Sequence, residues 1–207
     1  MAVVERRTAE ETRACIMQVA WDLFRQLGPR TTIADVADKA GMSSANVYRF
    51  FASKQALTEA VCESLLGETL KAARTAIDSA GSPSQRIAAM MMTLHRLMRD
   101  QMTAESRAYE IVEVAVTEKW PPIIDYLGRC AAMLAEAIAD GQASGEFGPG
   151  DPLELGWMTM QACVVIHDPT LIPSCTVIRP EARPEEAINF ALRALANRNP
   201  PPPLAGS

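Results

Sequence analysis

"VADKAGMSSANVYRFFASK", residues 36–54, reads as the end of one short helix, a tight turn and a second, shorter helix. The first helix opens at Thr32, which with Asp35 three residues on has the pattern of a capping box ahead of "IADVADKA". Gly41 stands where the turn asks for positive φ, which only glycine adopts cheaply. Ser43 or Ser44 can cap the helix that follows. Val36, Ala40, Met42, Val47 and Phe50 supply a compact apolar underside, and the small Ala37 suits a close helix crossing. Ser44, Ala45, Asn46, Tyr48 and Arg49 are left for the outer flank. The arrangement is a helix-turn-helix, in which the first helix braces the second and holds it outward.

That flank is equipped for nucleic acid. Asn and Arg can read base edges or phosphates, Ser and Tyr donate to phosphate oxygens, and such a helix fits the major groove. Asn46 is the strongest candidate for sequence reading, because its poor helix propensity asks for another reason to be there. Tyr48 and Phe51 can be read as packing, and Arg49 as a solvated charge. Lys54 at a helix start opposes the helix dipole, which favours a phosphate partner for it.

Outward from this segment the chain reads as helices throughout. Residues 10–27 place Ile16, Ala20, Leu23, Phe24 and Leu27 on one face, with Glu10 and Glu11 in the first turn and Gly28-Pro29 as the stop. Ser53 can cap a long helix from Lys54 to about Asp78, with Leu57, Val61, Leu66, Leu70, Ala73 and Ile77 inward. "AGSPS", residues 80–84, breaks it. Helices follow over 84–102, 106–119, from Pro121 to "SGEFGPGD" (144–151), over 152–167 and from Pro184. The tail "RNPPPPLAGS" is expected to be disordered or extended. The fold class is all-α. A head over 1–55, a body over 56–198 and a tail over 199–207 are the expected divisions.

Composition agrees with this reading. The 207 residues are 48% apolar but only 5% aromatic, and period-two alternation is scarce. The net charge of -5 is unevenly spread: residues 1–55 carry eight Lys and Arg against six Asp and Glu, the remainder twelve against nineteen. The five cysteines include no C-x-x-C pair and read as buried thiols in a reducing cytosol. The N-terminal "MAVVERRTAEETR" lacks the apolar run of a signal peptide, and "LGWMTMQACVVIH" (155–167) is too short to span a bilayer, so a cytoplasmic location with no membrane partner is expected.

"TTIADVADKAGMSSANVYRFFASKQALTEAV" resembles the N-terminal domain of the TetR/AcrR family of bacterial transcriptional regulators. The matching features are the Thr31-Thr32 pair, A-x-x-A-G-x-S at the turn, Tyr48-x-x-Phe51, and Ser53-Lys54 followed by Leu57. The likeness covers roughly residues 10–60. It implies a three-helix DNA-binding head, a ligand-binding body and a homodimer. By position it implies phosphate contacts from Thr32, Tyr48 and Lys54 and groove contacts around Ser43 to Arg49. Ala52 stands where the family often has lysine, which removes one phosphate contact.

The resemblance further suggests that residues 85–170 enclose a small effector. Met91, His95, Met98, Tyr109, Tyr126 and Trp157 are candidates to line such a site; a Met stripe can equally be plain core, and His95 a satisfied buried histidine. Glu110 and Glu113 share a helix face that solvent explains, and no metal or cofactor is expected. Leu153, Trp157, Met160, Val164, Ile188, Leu192 and Leu195 offer a surface for a four-helix, two-fold contact between subunits. Such a dimer would set its heads about 34–36 Å apart on DNA. An enzyme is the weakest reading, since no P-loop, G-x-S-x-G or H-E-x-x-H motif occurs and there are only two histidines.

Overall fold

A computed structural model of the chain describes residues 8–79, 81–104, 106–172 and 183–196. Every regular element among them is helical: α1 (Ala9–Leu27), a 3-10 turn (Gly28–Arg30), α2 (Ile33–Lys39), α3 (Ser44–Tyr48), α4 (Lys54–Ser79), α5 (Pro83–Ala104), α6 (Ser106–Thr117), α7 (Pro121–Ala143), α8 (Pro152–Ala162), α9 (Val164–His167) and α10 (Pro184–Ala196). Among the described residues, no helix is long and apolar enough to cross a membrane. The expected tail over 199–207 and Cys175 lie outside the described residues.

The chain groups into two compact units, divided differently from the expected boundary at residue 55. One runs through Gly67 and takes in Gln101–Ile124; the other comprises Glu68–Asp100 and the chain from Asp125. The first unit therefore includes α6, which packs on α1 and on the 3-10 turn.

In the first unit, Thr8 caps α1 and exchanges hydrogen bonds with Glu11 in a reciprocal capping box. Ile16, Ala20, Leu23 and Phe24 are buried as expected. Leu27 is not: the chain turns away at Gly28 (φ 60°), and the last turn of α1 is left in solvent. Buried Thr31 donates its hydroxyl to the Gly28 carbonyl at 3.0 Å. The turn after α2 closes as a Schellman motif, Met42 N–H to Ala37 O at 2.9 Å and Gly41 N–H to Asp38 O at 3.0 Å, with Gly41 at φ 67°. Ser43, rather than Ser44, caps α3. Val36 and Val47 are buried beneath the turn, and Phe51 rather than Phe50 completes the underside: it lies four residues after Val47 and its N–H bonds the Val47 carbonyl at 3.0 Å, which keeps it on the same face, while Phe50 is half-buried. Ser53 caps the start of α4 through the Ala56 N–H at 3.0 Å.

In the second unit, Leu70, Ala73 and Ile77 of α4, Ile87, Met90, Met91 and Leu94 of α5 and Ala131, Leu134 and Ile138 of α7 are all buried and belong to its apolar core. Arg74 forks onto Glu136 at 2.7 and 2.9 Å and ties α4 to α7. Gly156 lets the α8 backbone approach α7, for a Cβ there would lie 2.6 Å from the Ala131 carbonyl oxygen. The helix expected over 152–167 is broken at Cys163. Buried His167 supplies the reason: its Nε2–H donates to the Met160 carbonyl at 3.0 Å and so occupies the acceptor that an unbroken helix would give to Val164.

Candidate nucleic-acid interface

The site is built on α2, the turn and α3. Val47 is fully enclosed and Phe51 nearly so, and these two side chains pin α3 to the core. The Arg13 guanidinium lies 4.8 Å from the centre of the Phe51 ring and covers it from α1. With this side anchored, Ser43, Ala45, Tyr48 and Arg49 are exposed, and Ser44 and Asn46 are half-buried. Tyr48 is 51% exposed, so its ring is not a packing element.

Each candidate side chain has a local partner that bears on its use. Thr32 caps α2; its Oγ1 accepts from the Asp35 N–H at 3.2 Å and donates to Asp35 Oδ2 at 2.7 Å, while its own N–H reaches the same oxygen at 2.8 Å. These bonds hold the Asp35 carboxyl below the usual carboxylate range, the hydroxyl contributing most. Both donors of Thr32 are thus turned toward Asp35, and a phosphate oxygen would have to compete with that carboxylate. Ser43 spends its oxygen on the Asn46 N–H at 3.2 Å. The Asn46 amide leans on Met42 Sδ at 3.6 Å, a weak acceptor that DNA can readily replace. Lys54 Nζ donates to the Pro29 carbonyl at 2.6 Å. Met42 and Pro29 were not anticipated as partners; the four-residue spacing of Met42 and Asn46 was the one available signal for the first, and nothing local announced the second.

The candidates in the body are less concentrated. Met91, Met98 and Tyr126 are buried in the packed interior of the second unit. His95 is half-buried and its Nδ1–H donates to the Ile166 carbonyl at 2.7 Å, while Trp157 is half-buried on α8. The side chain of Tyr109 lies outside the described residues. Burial pushes the thiols of Cys62 and Cys163 up to about 11 and that of Cys130 to about 12, so none of the three is a ready thiolate. The side chains expected at a dimer surface differ in exposure. Met160, Ile188 and Leu195 are buried within the chain itself, where α8 and α10 pack on each other. Leu153 is exposed and Trp157, Val164 and Leu192 are half-buried, but the most exposed apolar side chains of these helices are Met158 at 59% and Phe190 at 67%.

Residues 16–61 match the family model described as bacterial regulatory proteins, tetR family, and residues 83–187, just over half the chain, match that of the tetracyclin repressor-like C-terminal domain. The chain is 31% identical over 81 residues to the HTH-type transcriptional repressor KstR2 of Mycobacterium tuberculosis, a match spanning 39% of this chain and 40% of that curated relative. Among solved structures, a protein of unknown function from Rhodococcus sp. RHA1 superposes with a TM-score of 0.69 at 17% identity, over 95% of this chain and 100% of that one. RolR in complex with the ligand resorcinol superposes with a TM-score of 0.63 at 18% identity, over 90% of this chain and 88% of RolR. At these identities the structural likeness is one of fold. With both halves accounted for by one family of regulators, not of enzymes, the chain belongs to the TetR family of bacterial regulatory proteins.

Proposed function

We propose that this TetR-family regulator is a cytoplasmic repressor that binds a palindromic operator in double-stranded DNA as a two-fold homodimer and leaves it when a small apolar or amphipathic effector occupies its C-terminal body. The observation that carries the reading is the contrast across α3: Val47 is enclosed while Tyr48 and Arg49, the next two residues, stand in solvent. A helix pinned on one side and polar on the other has the form needed to enter a major groove. The name of KstR2 as a repressor supports negative regulation, and the resorcinol complex of RolR supports a small-molecule effector. Met158, Phe190 and Leu153 supply the exposed apolar surface for the dimer. The effector acts only if it binds the released state more tightly than the DNA-bound one.

A second reading, a DNA-binding repressor with no effector, is favoured by the packing of Met91 and Met98 into the core. A screen of apolar compounds for thermal stabilisation and operator release separates the two.

The test of DNA binding starts by selecting bound fragments from random duplex DNA. Asn46→Ala, Tyr48→Ala and Arg49→Ala are then titrated against the selected site. Each lost contact is expected to cost about ten-fold or more, in keeping with roughly 1–3 kcal/mol for a good base contact. Unchanged affinity in all three variants, with helical circular dichroism intact, would remove α3 as the reading element.

A further inference from the structure

The end of α1, the first turns of α4 and the second half of α6 line a half-open pocket of ≈ 410 Å³ within the N-terminal unit. That volume falls in the range of small-molecule sites, about 300–1,000 Å³. We propose that it is a binding site for a small, flat, apolar monocarboxylate whose charge pairs with Lys54.

The lining sets the chemistry. Phe24, Ile111 and Trp120 are buried and form an apolar floor, with Val114 at the mouth. Two charged side chains also line it, Lys54 and Glu118. Glu118 is already engaged, because Trp120 Nε1 donates to its Oε2 at 2.8 Å. Lys54 donates to Pro29 O, but an ammonium has three N–H donors, so capacity is left for an anion. The remaining charge on Glu118 repels a carboxylate from its own end. A monoanion with an aromatic body therefore has one favoured orientation, with its charge at Lys54 and its ring against Phe24 and Trp120.

The wall carrying Trp120 is held by an unusual turn. Lys119 has φ 56° and is the one non-glycine residue with positive φ among the described residues. The turn closes through Trp120 N–H to Ala115 O at 2.9 Å and Lys119 N–H to Val116 O at 3.2 Å, the bonding of a Schellman motif in which glycine is the usual residue. Such strain persists where the surroundings over-determine it and gathers at ligand sites.

Lys54 is also among the residues assigned to phosphate above, and this part of the inference rests on that reading. One ammonium cannot serve a bound carboxylate and a DNA phosphate at full strength, so the ligand and the operator weaken each other's binding.

The experiment uses the full chain without DNA, titrated calorimetrically with p-butylbenzoate and with neutral p-butylbenzamide while the Trp120 indole N–H is followed by nitrogen-edited NMR. The benzoate is expected to bind more tightly and to shift the Trp120 signal. Lys54→Gln is expected to weaken the benzoate by about ten-fold, as for loss of a charge-assisted hydrogen bond, and to leave the benzamide unchanged. Val114→Trp, which fills the mouth, should abolish both. Equal affinity for the two probes, an undiminished benzoate affinity in Lys54→Gln, or an unmoved Trp120 signal at saturation overturns the site, and Lys54→Gln decides alone should Val114→Trp fail to fold. Operator release by the benzoate is measured separately. A DNA-free titration that succeeds beside absent operator binding sinks the DNA reading and spares the cavity; the reverse outcome sinks the cavity.

Discussion

Lys54 Nζ lies 2.6 Å from the carbonyl oxygen of Pro29, so the first residue of α4 is tied to the turn that ends α1. The bond holds a cation at the turn ahead of α2, an element proposed to face DNA, and its ammonium keeps further donors. Lys54→Gln is expected to weaken operator binding at every sequence alike and to lower the slope of log affinity against log salt by about one, since one phosphate contact releases about one counterion. Titrations across sodium chloride concentration check this; an unchanged slope would remove Lys54 from the phosphate contacts.

Gly41 separates backbone strain from steric crowding. It sits at φ 67°, and an added Cβ would meet nothing within 4 Å. Gly41→Ala should therefore cost about 1 kcal/mol, the penalty for the left-handed conformation alone, and Gly41→Asn less. Urea unfolding measures both; a loss several times larger would mean that the turn carries more than this conformational demand.

Gly156 poses the opposite case. Its backbone is helical, but a Cβ would stand 2.6 Å from the Ala131 carbonyl oxygen, and backbone cannot swing aside as a side chain can. Gly156→Ala is expected to lower stability by about 1–3 kcal/mol, the usual range for overpacking, despite alanine's better helix propensity. Thermal unfolding reads the result, and a stabilised variant would show that α7 and α8 have room to part.

His167 makes stability depend on pH. Burial is the largest influence and lowers its pKa below the ordinary 6.5, so the folded chain holds it neutral, with Nε2–H on the Met160 carbonyl. The unfolded chain takes up a proton at that position first. Stability is then full above about pH 6.5 and declines as pH falls from there toward the folded-state pKa. The melting temperature should drop between about pH 7 and pH 5, and His167→Gln should flatten that drop. An equal slope in the variant would assign the dependence to other groups.

The helix-turn-helix was legible because its signals are local. Thr32 and Asp35 lie three residues apart, Gly41 occupies a turn that asks for positive φ, and Val36 and Val47 are apolar at the spacing of a buried underside; each can be judged within a few residues. The inward face of α4 was legible for a related reason, since periodicity identifies the stripe that must leave water whatever covers it. Where the covering element mattered, local signals were insufficient. Met160, Ile188 and Leu195 belong to real apolar stripes, yet these three side chains are buried inside the chain itself, and the most exposed apolar positions of those helices are Met158 and Phe190. The break at Cys163 depends on His167 reaching back for a carbonyl, and the engagement of Lys54 depends on Pro29, 25 residues away. Helical periodicity and capping are properties of neighbours along the chain and so are written in it directly; which face is covered, and which donor finds which carbonyl, follows from segments meeting in space.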